Sequence, residues 1–184
     1  MPLTHIALGA NLPGPAGSPE STVAAAAERL ASLGRITARS SLYSTAPVGI
    51  ADQPRFLNAV IALETRLAPR DLLNALLAIE RSFGRDRTAS VPGGPRILDL
   101  DILFYDGITL SEHGLEIPHP RLAQRAFVLI PLNEIDSQLR DPRTGRTVSQ
   151  LLARLSSGRT QLTQEVAPIA STLWPAGKRS QSSP

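Results

Sequence analysis

A chain of 184 residues with a net charge of +3 and no cysteine is sized for one ordinary domain with a substantial core. It has no means to build a disulfide framework, a thiolate metal site or a cysteine nucleophile. No apolar run approaches the length of a membrane span, and Met1-Pro2-Leu3-Thr4-His5 lacks the basic-then-apolar layout of a signal peptide, so a reducing cytoplasm is the expected setting. Lys178 is the only lysine; the basic charge is arginine, its excess is a weak argument for nucleic acid, and a polyphosphate is a sufficient acidic partner.

Leu3 to Leu8 reads as a first strand, after which Gly9-Ala10-Asn11 and Pro13-Gly14-Pro15 turn the chain. Ser18 is placed to N-cap a helix with Pro19 at its first position. That helix runs to Leu33 and stops at Gly34, read as the glycine just past its end. Arg35 to Tyr43 alternates as a second strand, and Ser44 to Pro54, interrupted by Pro47 and Gly49, is a loop. Phe56 to Thr65 is a third, strongly apolar strand. Ala68-Pro69-Arg70-Asp71 opens a second helix, with Leu72, Leu73, Leu76 and Leu77 as its apolar stripe, ending near Phe83 with Gly84 beyond. An arginine-bearing loop follows, then a strand to Tyr105 closed by Asp106-Gly107. The order βαββαβ predicts an α+β, ferredoxin-like sandwich: an antiparallel sheet with both helices on one face, the other face being free for a site. Phe127 to Ile135 and Val148 to Leu155 are further helices, separated by the Asp141-Pro142-Arg143-Thr144-Gly145 turn. No internal repeat is visible. From Ser156 the chain turns polar, which places one domain at 1–160 and a C-terminal extension at 161–184, its last ten residues a disordered tail.

The chemistry concentrates between Gly84 and Leu103. Leu98, Leu100 and Ile102 alternate with Asp99 and Asp101, the period-2 pattern of a half-buried strand. Both carboxylates therefore project from one face, where like charges repel and a cation is needed. A hard divalent ion with oxygen ligands, such as Mg²⁺ shared with substrate phosphates, suits that pair. Arg85, Arg87 and Arg96 flank a segment broken by Pro92, Gly93, Gly94 and Pro95, a loop able to present forked guanidiniums to phosphate. Carboxylates for metal and arginines for polyphosphate point to ATP–Mg²⁺ chemistry. The competing reading makes Asp99 and Asp101 surface ion-pair partners of those arginines. The first reading implies that, without metal, the two aspartates repel each other and that Asp99→Asn would relieve strain. The second implies that the same change would destabilise the protein.

Gly84-Arg85-x-Arg87 followed by Gly94-Pro95-Arg96-x-Leu98-Asp99-Leu100-Asp101-Ile102 resembles the signature of the 6-hydroxymethyl-7,8-dihydropterin pyrophosphokinases, enzymes of folate biosynthesis. The resemblance is colinear from about Leu3 to Leu155. It includes Ile6-Ala7-Leu8-Gly9-Ala10-Asn11-Leu12, Ser41 to Gly49, Asp52-Gln53-Pro54-x-Phe56-Leu57-Asn58-Ala59, Ile117-Pro118-His119-Pro120-Arg121 and Arg125-x-Phe127-Val128-Leu129.

This resemblance implies transfer of the terminal pyrophosphate of ATP to the dihydropterin hydroxymethyl group, with two Mg²⁺ ions held by Asp99 and Asp101. It assigns Arg85, Arg87 and Arg96 to catalysis beside those aspartates, and Glu80, Ile102, His119 and Arg125 to the ATP side. Read by its chemistry alone, Glu80 is equally an ordinary surface glutamate, and Arg125 a solvated arginine at a helix start. Phe56 and Phe127, core residues by default, match the positions whose rings sandwich the pterin, and Asn58 the one that reads its polar edge. Thr45, Pro47, Val48 and Gly49 match the loop that lines the pterin, which Asp99 also approaches. The family often has tryptophan where this chain has Val91-Pro92-Gly93, proline at Ala46 and tyrosine at Pro120; these departures bear on loop motion and substrate affinity. A monomer acting on small molecules, without nucleic acid or membrane, is expected. An RNA-binding module on the same sheet architecture would want aromatics where the aspartates stand.

Overall fold

The computed structural model describes residues 1–48, 50, 52–86, 93–157 and 165–177. Its elements are β1 (Leu3–Ala10), α1 (Pro19–Ala31), β2 (Arg35–Arg39), β3 (Leu42–Thr45), β4 (Phe56–Glu64), α2 (Pro69–Ser82), β5 (Asp99–Tyr105), β6 (Leu110–Glu112), β7 (Leu115–Ile117), α3 (Ala126–Asp136), α4 (Val148–Ser157) and β8 (Val166–Ile169). A six-stranded sheet runs β5-β1-β4-β3-β8, with β2 also on β4, and the paired strands are antiparallel. β6 and β7 form a separate small hairpin.

Local chemistry sets several boundaries. Ser18 caps α1, its Oγ accepting from the Ser21 N–H at 3.2 Å. Gly84 follows α2 at φ 86°, the left-handed conformation that ends helices. Gly34 is required for another reason than the expected one. A Cβ there would lie 2.1 Å from the Glu64 carbonyl oxygen, so the glycine permits a close approach to β4 and does not supply a left-handed cap. Gly9, read as part of a turn, lies inside β1. The single strand expected over Arg35–Tyr43 is broken at Ser40. The Ser40 Oγ accepts from the Val60 N–H and donates to the Ser41 carbonyl, so a side-chain bond replaces one ladder bond where β2 parts from β3, while the Ser40 N–H still donates to the Val60 carbonyl.

Alternation along the strands divides the core. Ile6, Leu8 and Ala10 of β1, with Ile61 and Leu63 of β4 and Leu100 of β5, pack against Val23, Ala27 and Leu30 of α1 and Leu72 and Leu76 of α2. On the opposite face, Val60, Ala62 and Phe104 lie beneath Val128, Leu129 and Leu132 of α3 and Val148 and Leu151 of α4. That second face is therefore not free, as the pattern predicts, but half covered. Ahead of the expected tail, residues 165–174 of the C-terminal extension pack on the sheet. β8 pairs with all four residues of β3, Trp174 is 2% exposed, and Gly177 exchanges two backbone hydrogen bonds with Arg39. Residues 165–177 are thus packed on the sheet, while 158–164 and 178–184 lie outside the described residues. Among the described residues, no helix is long and apolar enough to cross a membrane.

Candidate active site

Where α3 and α4 stop, the second face of the sheet opens into a cavity of about 570 Å³. Its floor follows the register of β5, β1 and β4. Asp99 of β5 lies opposite Gly9 of β1, Asp101 opposite Ala7, and Gly9 in turn opposite Asn58 of β4. A Cβ at Gly9 would meet the Asn58 Oδ1 at 3.1 Å and the Asp99 Cβ at 3.9 Å. The small residues of β1 thus form a trough between the taller side chains of β4 and β5. Leu98, Leu100 and Ile102 point into the helix-covered core, so Ile102, assigned to the nucleotide, stands behind the site.

Asp99 does not face open solvent. It accepts from the guanidiniums of both Arg85 and Arg96. The Nη1 of Arg85 also donates to the Glu80 Oε1 at 3.0 Å and the Leu98 carbonyl at 2.9 Å. Glu80 is no surface glutamate: it is 1% exposed and accepts from the Leu100 N–H at 2.8 Å, joining α2 to the strand between the two aspartates. Burial would raise the Asp99 pKa, but the two guanidiniums outweigh it and hold the carboxyl below its ordinary range. The expected mutual repulsion of the metal-free aspartates is thus relieved at Asp99 by arginine.

Asp101 is the contrasting case. Among the described residues, its ion-pair contacts are long: Arg125 Nη1 and the imidazole Nε2 of His119 each lie 3.9 Å away. Burial and the neighbouring Asp99 push its pKa up to about 6, with Arg125 opposing them. Burial, and then the charges of Arg125 and Arg121, lower the His119 pKa to about 4. His119 is consequently neutral near pH 7, and its Nδ1 accepts from the Arg121 N–H at 3.1 Å. The pair is a dipole beside a carboxylate, not a salt bridge.

Phe56, Asn58, Thr45, Val48, Arg96, Arg125 and Phe127 line the same cavity. The Asn58 Nδ2 donates to the Thr45 Oγ1 at 2.8 Å, leaving its carbonyl oxygen toward the trough. The Arg96 guanidinium lies 5.4 Å from the Phe56 ring centroid, and that of Arg125 lies 5.5 Å from Phe127, so both rings carry a cation. Pro47 stands outside the cavity wall. Gly49, Arg87 and the segment carrying Val91 and Pro92 lie outside the described residues.

Sequence reasoning gave no role to four contributors. Arg121 and Gln124 line the cavity; Arg121 closed the Ile117–Arg121 motif without a role assigned to it, and Gln124 had only its place before Arg125 as a signal. Asn11 is 2% exposed, and its Oδ1 accepts from the Arg96 N–H at 2.7 Å while its Nδ2 donates to the Pro54 carbonyl at 3.0 Å. It pins the arginine loop to the segment preceding Phe56. Gln53 repeats the link, its Nε2 donating to the Gly93 carbonyl at 2.8 Å.

Among the described residues, no group of three or more His, Cys, Asp or Glu side chains converges to hold an ion unaided. Two carboxylates on one strand face fit a Mg²⁺-type ion, which keeps several waters and takes further oxygens from phosphates.

Cationic side chains grouped over paired carboxylates, on an antiparallel sheet backed by two helices, form a site for a phosphorylated substrate. The 7,8-dihydro-6-hydroxymethylpterin-pyrophosphokinase (HPPK) family model matches residues 5–137. The chain is 47% identical over 149 residues to the 2-amino-4-hydroxy-6-hydroxymethyldihydropteridine pyrophosphokinase of Pseudomonas aeruginosa, covering 81% of this chain and 89% of that one. It is 41% identical over 157 residues to the enzyme of that name from Methylorubrum extorquens, covering 84% and 94%. The wild-type Plasmodium falciparum HPPK-DHPS crystal structure aligns with a TM-score of 0.64 at 16% identity, covering 84% of this chain and 45% of that one; that likeness is one of fold. The chain belongs to the 7,8-dihydro-6-hydroxymethylpterin-pyrophosphokinase family.

Proposed function

We propose that the protein transfers pyrophosphate from ATP to the hydroxymethyl oxygen of 6-hydroxymethyl-7,8-dihydropterin, releasing AMP, as a folate-biosynthesis enzyme. Family membership carries this reading, and the cavity supports it by joining an aromatic, amide-edged end to a cationic, carboxylate-bearing end. The strand order β5-β1-β4-β3 supports a ferredoxin-like description of the sheet. The domain is read as extending to Gly177, and the protein as a cytoplasmic monomer acting on small molecules.

Phe56 and Phe127 would receive the pterin between their faces, and the guanidiniums now over both rings would give way to it. The Asn58 carbonyl oxygen and the backbone of the Thr45–Gly49 segment would read the polar edge of the ring. Asp99 and Asp101 would hold two Mg²⁺ ions, which when bound supply charge neutralisation across the phosphates. For that, Asp99 exchanges its guanidinium partners, which frees Arg85 and Arg96 for phosphate oxygens. Arg125, His119 and Arg87 complete the phosphate-binding side, with neutral His119 as a hydrogen-bond donor or acceptor. Transfer of this kind needs positioning and charge neutralisation more than a protein nucleophile, in keeping with a cavity whose described walls hold arginines and carboxylates. Glu80 and Asn11 act through Arg85 and Arg96. The test is chromatography of nucleotides from ATP, Mg²⁺ and the dihydropterin alcohol. AMP formed only when the pterin is present is expected; ADP, or no turnover, overturns the reading.

A further inference from the structure

The segment Glu165–Gly177 has no place in the chemistry above, and none of its residues belongs to the cavity wall. It nevertheless braces that wall from outside. β3 has four residues, only three of which pair with β4, and it leads directly into Thr45, Ala46 and Val48 of the cavity lining. Without β8 it would be a short edge strand with one side of its backbone unpaired. β8 pairs with all four of its residues, and the Ala46 N–H donates to the Glu165 carbonyl one step further, at 3.2 Å. There Arg55, the residue before Phe56, ties three strands together. Its Nη1 donates to the Glu165 Oε2 at 2.9 Å, and its Nε to the Ser44 Oγ at 2.9 Å. At the far end the buried Trp174 donates from its Nε1 to the Ser40 carbonyl at 2.6 Å, at the β2–β3 break. The Arg39 guanidinium covers its ring at 5.5 Å. The segment is thus anchored away from the cavity and attached again where the wall leaves the sheet.

We infer that Glu165–Gly177 is a strap that positions the pterin-side wall, with Arg55 and Glu165 as positioning residues for the second substrate. The inference rests on the function proposed above. It concerns one end of the site only: Arg85, Asp99, His119 and Arg125 make none of these contacts. The Arg55–Glu165 pair is solvent-exposed and weak as an ion pair; its consequence lies in the backbone geometry of Ser44 to Pro47.

The test uses the full chain. Arg55→Ala and Glu165→Ala should each raise the KM for the dihydropterin about three- to tenfold, while kcat and the KM for ATP stay within about twofold. Glu165→Gln, which keeps an acceptor for the Arg55 Nη1, should restore the parent values. Hydrogen exchange should show faster uptake over Ser44–Ala46 in both alanine variants and unchanged uptake over β5. A joint rise of both KM values, or unaltered exchange over Ser44–Ala46, overturns the inference. A parent enzyme that makes no AMP overturns the function reading alone, because the exchange measurement still decides whether the strap holds the wall.

Discussion

The second face of the sheet is built from the same strands throughout, yet its two halves do opposite things. Under α3 and α4, Val60, Ala62 and Phe104 are sealed by Val128, Leu129 and Leu132. Further along the same strands, and still on that face, stand Asn58 and Phe56, Gly9, and Asp101 and Asp99. Between the halves the chemistry of the side chains changes, and β1 and β5 shift register once. The register shift between His5 and Ile6 sits near the border and lets Leu103 and Phe104 both join the covered cluster. The open half thereby takes its rigidity from the covered half, which is how a site on regular elements holds its groups in place.

The comparison is broken most forcefully from the covered side. Leu132 is fully buried, so Leu132→Ala should cost about 2–5 kcal/mol of stability, through lost transfer energy and a residual cavity. Turnover per folded molecule should hardly change, since the residue lies outside the cavity wall. Denaturant titration beside an assay below the melting range checks both parts. A large loss of kcat in the folded fraction would mean that the two halves are not separable.

Asp99→Asn comes next and should strike both properties. The side chain holds Arg85 and Arg96 together, and Arg85 is only 11% exposed. Removing the carboxylate leaves a partly buried guanidinium short of a partner, a loss of about 2 kcal/mol. Turnover should fall by roughly a hundredfold or more, because the same oxygens are the proposed metal ligands. The sequence pattern alone favours an apo protein unharmed by this change, with loss of stability as the mark of an ion pair. The structure joins the alternatives: the carboxylate is an ion-pair partner in the free protein and the candidate ligand in the loaded one. Thermal melts without Mg²⁺ together with single-turnover assays test this, and a mutant as stable as the parent would contradict it.

How far the sequence could be read follows from these residues. The succession of strands and helices from β1 to β5, apart from the break at Ser40, and the alternation of β5 were legible because such patterning is local. The grouping of Asp99, Arg96, Phe56, Asn58 and Arg125 at one cavity was legible through the family resemblance. Gly9 was misread because a glycine demanded by packing across strands looks, along the chain, like one demanded by a turn. Glu80 was ambiguous because burial of a carboxylate depends on a partner twenty residues away, the Leu100 N–H. β8 was invisible because Val166-Ala167-Pro168-Ile169 has little strand character of its own; its partner β3 gives it a place.

The smallest effect is the most discriminating, since it has the opposite sign. Asp101→Asn should stabilise the metal-free protein. Burial and Asp99 push the Asp101 pKa up to about 6, so the ionised carboxylate is less favourable folded than unfolded, and asparagine removes that cost. With 34% of the side chain exposed, the gain is discounted to about 1 kcal/mol. The pH dependence fixes its origin. Between the unfolded value near 4 and the folded value near 6, the native state binds the extra proton, so the parent loses stability as pH rises through that window. The stability gap between mutant and parent should therefore be near zero below about pH 4, open as pH rises, and be complete a little above 6. Turnover should drop as for Asp99→Asn. Melts of both proteins in chelator from pH 4 to 8 measure the gap, and a mutant less stable than its parent near neutrality would show that Arg125 holds Asp101 as firmly as Arg85 and Arg96 hold Asp99.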